Sequence, residues 1–156
     1  MKKLIRDRQG RVLEFSQERV EKLVYFRLEF HRACAAYLNC RTEDEVLLLT
    51  DMFVEDRCIV PEPSFWRRLF GHKTLEANFR RQGLGSQLLT TVIAYARAKK
   101  LKRIEGHLAE KDLLPNPRLP RWYQKRGFTV AGSKIFMNLA SPPPQPHDDS
   151  RYMPKS

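Results

Sequence analysis

Residues 80–86, Arg80-Arg81-Gln82-Gly83-Leu84-Gly85-Ser86, run straight into Gln87-Leu88-Leu89-Thr90-Thr91-Val92-Ile93-Ala94-Tyr95-Ala96. Two glycines one residue apart open a segment whose apolar residues recur at helical spacing. A tight turn that feeds a helix leaves the first backbone N–H groups without intrahelical partners. The helix macrodipole adds partial positive charge at the same place, so the bend suits a phosphate or pyrophosphate. An anionic ligand is expected there.

Outward from the bend, Ser86 to about Lys99 reads as a helix, with Arg97, Lys99 and Lys100 complementing the negative end of its dipole. Those cations sit roughly 20 Å from the bend at ~1.5 Å per residue, too far to touch a ligand held there. Arg103 to Leu108 alternates like a strand. Asn116-Pro117 is expected to open a second helix, Asn116 as cap and Pro117 at the first helical position, stopping at Gly127. Thr129 to Leu139 reads as one closing strand. Upstream, Lys3–Arg6 and Val12–Phe15 flank a turn and predict a short hairpin. Ser16 then caps an expected helix from Gln17 to about Leu38, built on Val20, Leu23, Val24, Phe26, Phe30, Ala33, Cys34 and Tyr37, with Asn39 ending it. Val46 to Val54 reads as a buried strand, and 57–73 as a long loop or insertion with a short helix near Ser64–Phe70. Residues 141–156 are Pro-rich and polar, the composition of a disordered tail. The reading is thus one domain over 1–140 followed by that tail.

Size and charge set the frame. The 156 residues carry 42% hydrophobic side chains, enough for one real core, and a formal net charge of +11. Such a surface favours acidic partners: a polyphosphate cofactor, an acidic substrate, nucleic acid or an anionic membrane. Cys34, Cys40 and Cys58 form no CxxC pair and no metal-ligand spacing, so no metal is expected and a reducing, cytoplasmic setting is. No apolar run approaches the ~18 residues of a membrane span, and no membrane partner is expected.

Arg80 to Gly85 resembles the (Q/R)-x-x-G-x-(G/A) signature of the GCN5-related N-acetyltransferase (GNAT) superfamily. The segment Asn116-Pro117-Arg118-Leu119-Pro120-Arg121-Trp122-Tyr123-Gln124-Lys125-Arg126-Gly127-Phe128 is similar to that family's N-x-x-A-x-x-L-Y-E-K-x-G-F, with its spacings kept. A Walker P-loop would need Gly-Lys-Ser/Thr, whereas Ser86 and Gln87 follow Gly85. A dinucleotide fingerprint would need a glycine at position 88, which is Leu88. The resemblance covers about half of the chain, roughly Leu75 to Leu139. It reaches back to Leu49–Val54, similar to the strand that precedes the loop in many members. If that match is right, about 25 residues separate strand from loop, which suggests a functional insertion over 57–79. The other possibility is that Thr74–Ala77 ends the central strand; Thr50–Val54 is the better match.

The resemblance implies an α/β fold, a mixed twisted sheet flanked by helices with an acyl-CoA cleft between splayed central strands. It implies N-acyl transfer from acetyl-CoA to an unidentified amine by direct attack. The backbone of Arg80, Arg81, Gln82, Gly83, Leu84, Gly85 and Ser86 would hold the pyrophosphate. A backbone N–H near Phe53 or Val54 would polarise the thioester carbonyl. Tyr123 stands where members carry a proton donor to the coenzyme A sulfur, or is simply packed beside Trp122. Asn116 contacts the pantetheine arm or caps its helix. Asp51, Glu55, Glu76, Glu105 and His107 are candidate bases, none distinguished. A second reading is a non-catalytic module of the same fold that binds acyl-CoA or nucleic acid, the latter through 57–81, where Phe65, Trp66 and Phe70 lie among arginines. Both monomer and homodimer remain open.

Overall fold

The computed structural model describes residues 3–139. The Pro-rich segment 141–156 lies outside the described residues. An eight-stranded sheet forms the body, in the order β1 (Lys3–Arg6), β2 (Val12–Val20), β3 (Leu23–Phe30), β4 (Ala33–Glu43), β5 (Val46–Val54), β8 (Arg103–His107), β10 (Lys134–Asn138) and β9 (Thr129–Ala131). Strands β1 to β5 make one antiparallel meander.

The helix expected from Gln17 to Leu38 is therefore overturned: that stretch is the end of β2, all of β3 and about half of β4. The period is two. Val24, Phe26, Leu28 and Phe30 are buried while Tyr25, Arg27 and Glu29 between them are not. Apparent helical spacing arises because two alternating sets are joined out of phase by tight turns. Each connection has only two residues, Glu21-Lys22, His31-Arg32 and Asp44-Glu45. Such hairpins need left-handed backbone, normally marked by Asn or Gly. Here Glu21, His31, Arg32 and Asp44 adopt positive φ instead. Arg32, at φ 68°, bears that strain with an ordinary side chain. Arg32→Gly is expected to raise the unfolding free energy by roughly 0.5–1 kcal/mol, the relieved strain exceeding glycine's added chain entropy. A urea titration checks it.

After β5 the chain builds a separate two-stranded ribbon, β6 (Cys58–Pro61) against β7 (Thr74–Ala77), with the short helix α1 (Phe65–Leu69) between them. The short helix falls where the sequence suggests, and Ser64 caps it. The main helix α2 (Leu84–Ala98) follows, then β8 (Arg103–His107), α3 (Glu110–Leu113), α4 (Leu119–Gln124), β9 (Thr129–Ala131) and β10 (Lys134–Asn138). The single closing strand is in fact the β9–β10 hairpin, folded at left-handed Gly132.

One continuous core joins Leu13, Phe15, Val24, Phe26, Leu28, Leu38 and Cys40 of the sheet to Leu84, Leu88, Leu89, Val92 and Ala96 of α2 and to Tyr123 of α4. Phe26 meets Tyr95 of α2 edge-on at 5.5 Å, and Phe30 meets Phe79 at 5.3 Å. Each such side chain contributes about 1.5–3 kcal/mol by leaving water. The opposite sheet face, with Tyr25, Arg27, Tyr37, Asn39, Asp51 and Phe53, carries no buried residue.

Candidate functional site

Strand β5 is the pivot. It runs parallel to β8 only over Val46–Leu49, paired with Arg103–Gly106. Opposite, β4 pairs with all of β5, but Asn39 faces Asp51 while Cys40 faces Leu49, so Thr50 is an extra, bulged residue. Its hydroxyl bonds the Asn39 carbonyl at 3.0 Å. A bulge adds twist and bends the strand that carries it. The bulge falls where the β8 ladder ends, and beyond it β5 has no ladder partner on that side. Leu47–Val54 is thus the parallel central strand, and Thr74–Ala77 belongs to the ribbon. The Glu55 N–H donates to the Ala35 carbonyl at 2.9 Å. Because N–H groups alternate sides along a strand, the Val54 N–H faces away from β4, into the gap. Phe53 turns its ring to the uncovered sheet face and stacks on Tyr37 at 5.8 Å.

The bend lies beside this gap. Gly83 is the left-handed cap residue of α2, at φ 84°, and no side chain caps the helix. The first intrahelical donor is Gln87, bonding the Gly83 carbonyl at 3.0 Å. The N–H groups of Gly83, Leu84, Gly85 and Ser86 have no acceptor among the described residues. A Cβ placed on Gly85 would meet Trp122 at 3.7 Å and Val54 at 3.8 Å. Hence the end of β5, the first turn of α2 and α4 converge on one spot. Leu84 is buried and can offer a ligand only its backbone.

Cations gather at this positive helix end. Arg126 Nη1 bonds the Trp122 carbonyl at 2.8 Å, its Nη2 bonds the Ser86 hydroxyl, and its guanidinium lies 3.9 Å from the Trp122 ring centre. From the β1–β2 turn, the Arg8 N–H donates to the Gln82 carbonyl at 3.3 Å and its side chain to that of Arg81 at 3.4 Å. Burial, then the charge of Arg8, pushes Arg126 below its usual range. Arg80 is tethered to Asp56 at 3.8 Å, and Arg81 is exposed. Positive groups crowded onto a helix N-terminus repel one another and the dipole; an anion relieves both. Buried Asp7 organises the buttress, accepting from the Gln9 and Arg11 N–H groups and pairing with Arg11 Nε at 2.6 Å. Arg11 in turn bonds the Asn78 carbonyl at 2.7 Å.

Residues 34–130 match the family model described as Acetyltransferase (GNAT) domain. The chain belongs to the GNAT acetyltransferase family. Its fold is similar to that of the ribosomal-protein-S18-alanine N-acetyltransferase from Escherichia coli, with a TM-score of 0.56 at 14% identity over 83% of this chain and 77% of that one. The PaiA N-acetyltransferase from Thermoplasma acidophilum in complex with coenzyme A gives 0.50 at 10% identity over 75% of this chain and 61% of that one. A cAMP-binding acyltransferase from Mycobacterium smegmatis gives 0.61 at 10% identity; the match takes in 91% of this chain but only 48% of that protein. A search of curated proteins found no match.

In this GNAT domain Tyr123 is 6% exposed, its ring edge-on to Trp122 at 4.8 Å and Phe128 at 5.4 Å. Its hydroxyl makes no hydrogen bond among the described residues, yet it is not sealed from solvent. Burial, reinforced by Asp112, pushes the phenol up to about 12. Asn116 does not cap α4: Arg118 does, Pro120 sits in the first turn, and the exposed Asn116 accepts the Leu119 N–H at 3.0 Å. A Pro117 start would have placed the helix two residues earlier. Gly127, at φ 89°, ends it as expected.

The candidate bases scatter. Asp51 accepts the Tyr37 hydroxyl at 2.8 Å, Glu76 pairs with Arg57, and Glu105 with Arg103 and Lys134. Glu55, one residue beyond Val54, accepts the Arg57 N–H. His107 is exposed at the end of β8. Among the described residues no His, Cys, Asp or Glu cluster could hold a metal. A shallow depression of about 370 Å³, lined by Lys3, Ile5, Ser86, Gln87, Thr90 and Thr91, flanks α2 on the β1 side and reaches the bend only at Ser86. Arg8 and Arg126 were missed as site residues. Arg126 stands in the second quoted motif and could have been suspected from it; Arg8 is remote in sequence and gave no signal.

The Cys40 thiol, fully buried, is likewise pushed up to about 12. For both Cys40 and Tyr123 the folded value exceeds the unfolded one, so their stabilisation is complete below the ordinary values of 9.0 and 10.0 and is lost as pH rises toward 12. Thermal unfolding measured at increasing alkaline pH should show the melting temperature falling across that window, and Cys40→Ala, less stable at neutral pH, should show a shallower fall.

Proposed function

We propose that this GNAT domain transfers an acyl group, acetyl in the simplest case, from acyl-CoA to an amine. Four converging but unpaired backbone N–H groups at the start of α2, under the charge of Arg8, Arg81 and Arg126, carry this reading. They fit a diphosphate: main-chain donors point one way, and the flanking guanidinium groups balance its charge. Acyl-CoA supplies an activated thioester when bound. Gly83, Leu84, Gly85 and Ser86 hold and orient its diphosphate by their main chain, while Arg80, Arg81 and Gln82 shape the turn that leads into them, the Arg80 and Gln82 N–H groups being taken by the Asn78 side chain and the Phe79 carbonyl. The Val54 N–H, rather than that of Phe53, donates to the thioester oxygen and is placed to strengthen that bond as negative charge develops there. Tyr123 delivers the proton that the departing sulfur needs; with its phenol held protonated, it acts as acid and never as base. Asn116, exposed on the turn before α4, contacts the pantetheine arm. The amine approaches from the uncovered side of β5, where Phe53, Tyr37 and Asp51 lie, and gives up its proton to solvent.

The test is release of free thiol from acetyl-CoA on adding a panel of amines. Acceptor-dependent thiol release supports the transferase; coenzyme A binding with no release for any amine would leave a binding module of the same fold.

A further inference from the structure

The β6–α1–β7 ribbon has no part in this chemistry, yet it carries the most exposed apolar surface of the described residues. Phe65, Trp66, Leu69 and Phe70 are 64%, 67%, 65% and 79% exposed, and α1 buries none of its residues. These side chains are not on a floppy loop. Ser64 caps α1, and the nearly buried Glu62 accepts the Ser64 N–H at 3.1 Å and faces Arg67 at 3.6 Å. The Glu62 N–H bonds the Lys73 carbonyl, closing the ribbon beneath the helix. The apolar groups are thus held outward at water's expense. Between Pro63 and Leu75 there is no acidic residue, while Arg67, Arg68, His72 and Lys73 are present.

We propose that this tip docks the protein on an anionic lipid surface, Trp66, Phe65, Leu69 and Phe70 entering the headgroup boundary while Arg68 and Lys73 meet lipid phosphates. Aromatic and leucine side chains beside basic ones are the chemistry of a membrane interface. A second copy of the chain is a poor occupant, because a two-fold contact would set Arg67, Arg68 and Lys73 against themselves. Nucleic acid is a poorer fit than lipid: Phe65 and Trp66 meet edge-on at 75°, not as parallel platforms, and Leu69 offers nothing to a base. This departs from the expectation of no membrane partner: no helix of the described residues is long and apolar enough to cross a bilayer, but a surface contact needs none. The feet of the ribbon touch the site, Phe79 N–H bonding the Glu55 carbonyl at 3.1 Å. Docking would therefore hold the donor loop about one four-residue strand, roughly 13 Å, from the lipid.

Flotation of the full chain with vesicles tests this. Vesicles of phosphatidylcholine with about one-third phosphatidylglycerol should bind it at least ~tenfold better than phosphatidylcholine alone. Trp66→Ser with Phe70→Ser, and separately Arg68→Glu with Lys73→Glu, should each lose ~tenfold or more. All four side chains are exposed, so thermal unfolding should not change. Tryptophan emission should shift to the blue on the anionic vesicles, and not in Trp66→Phe. Absence of vesicle binding, vesicle binding indifferent to the tip variants, or tip-dependent capture of a single-stranded oligonucleotide without vesicle binding would each overturn the proposal. None of these outcomes touches the thiol-release test.

Discussion

Ser86→Asp should make the protein more stable and nearly unable to bind coenzyme A. Ser86 lies in the first turn of α2, two residues beyond Leu84, with its hydroxyl already on Arg126. A carboxylate there meets the positive helix end and a guanidinium, which favours folding by about 0.3–1 kcal/mol. The same carboxylate faces the proposed diphosphate seat. Like charges about 5 Å apart at an effective dielectric of about 20 repel by about 3 kcal/mol, a loss of a hundredfold or more in affinity. Thermal unfolding and calorimetric titration with coenzyme A read the two effects separately. Opposite signs are the signature of an anion seat; a bend that only starts a helix would gain stability and leave binding unchanged.

Tyr123→Phe should lower kcat by roughly ten- to a hundredfold, within the usual range for a lost general acid, with KM for acetyl-CoA nearly unchanged. The hydroxyl has no hydrogen-bond partner to lose among the described residues, so the fold should tolerate the change. Because the phenol is pushed up to about 12, the pH dependence of the residual activity near neutrality should keep the native shape. The deficit should shrink with an acyl thioester whose thiol is more acidic, since that leaving group needs less help from a proton. A merely packed tyrosine would show neither the kcat loss nor this dependence on the leaving group.

The two halves of the chain differed in how openly their sequences spoke. Around the bend, chemistry constrains residue type. Gly83 must take a left-handed backbone, and left-handed Gly127 closes α4. Each constraint is visible as a glycine at a fixed offset. Beyond its first turn, where Gly10 is left-handed, the N-terminal meander has no such marks. Its hairpin turns use Glu21, His31, Arg32 and Asp44 where glycine or asparagine would announce a reversal, so the alternation of Val24, Phe26, Leu28 and Phe30 was mistaken for part of a helical stripe. The bulge at Thr50 leaves no trace in composition at all, because it is a mismatch between β4 and β5. Arg8 reaches the bend only because Asp7 folds the β1–β2 turn toward it. Such encounters between distant segments are products of packing.

Backbone amide resonances give the most direct view of the diphosphate seat. On titration of the isotopically labelled full chain with coenzyme A, the N–H signals of Gly83, Leu84, Gly85 and Ser86 should move together and saturate with one affinity, while those of the ribbon stay still. Saturable binding that shifts other amides and leaves these four in place would contradict the account.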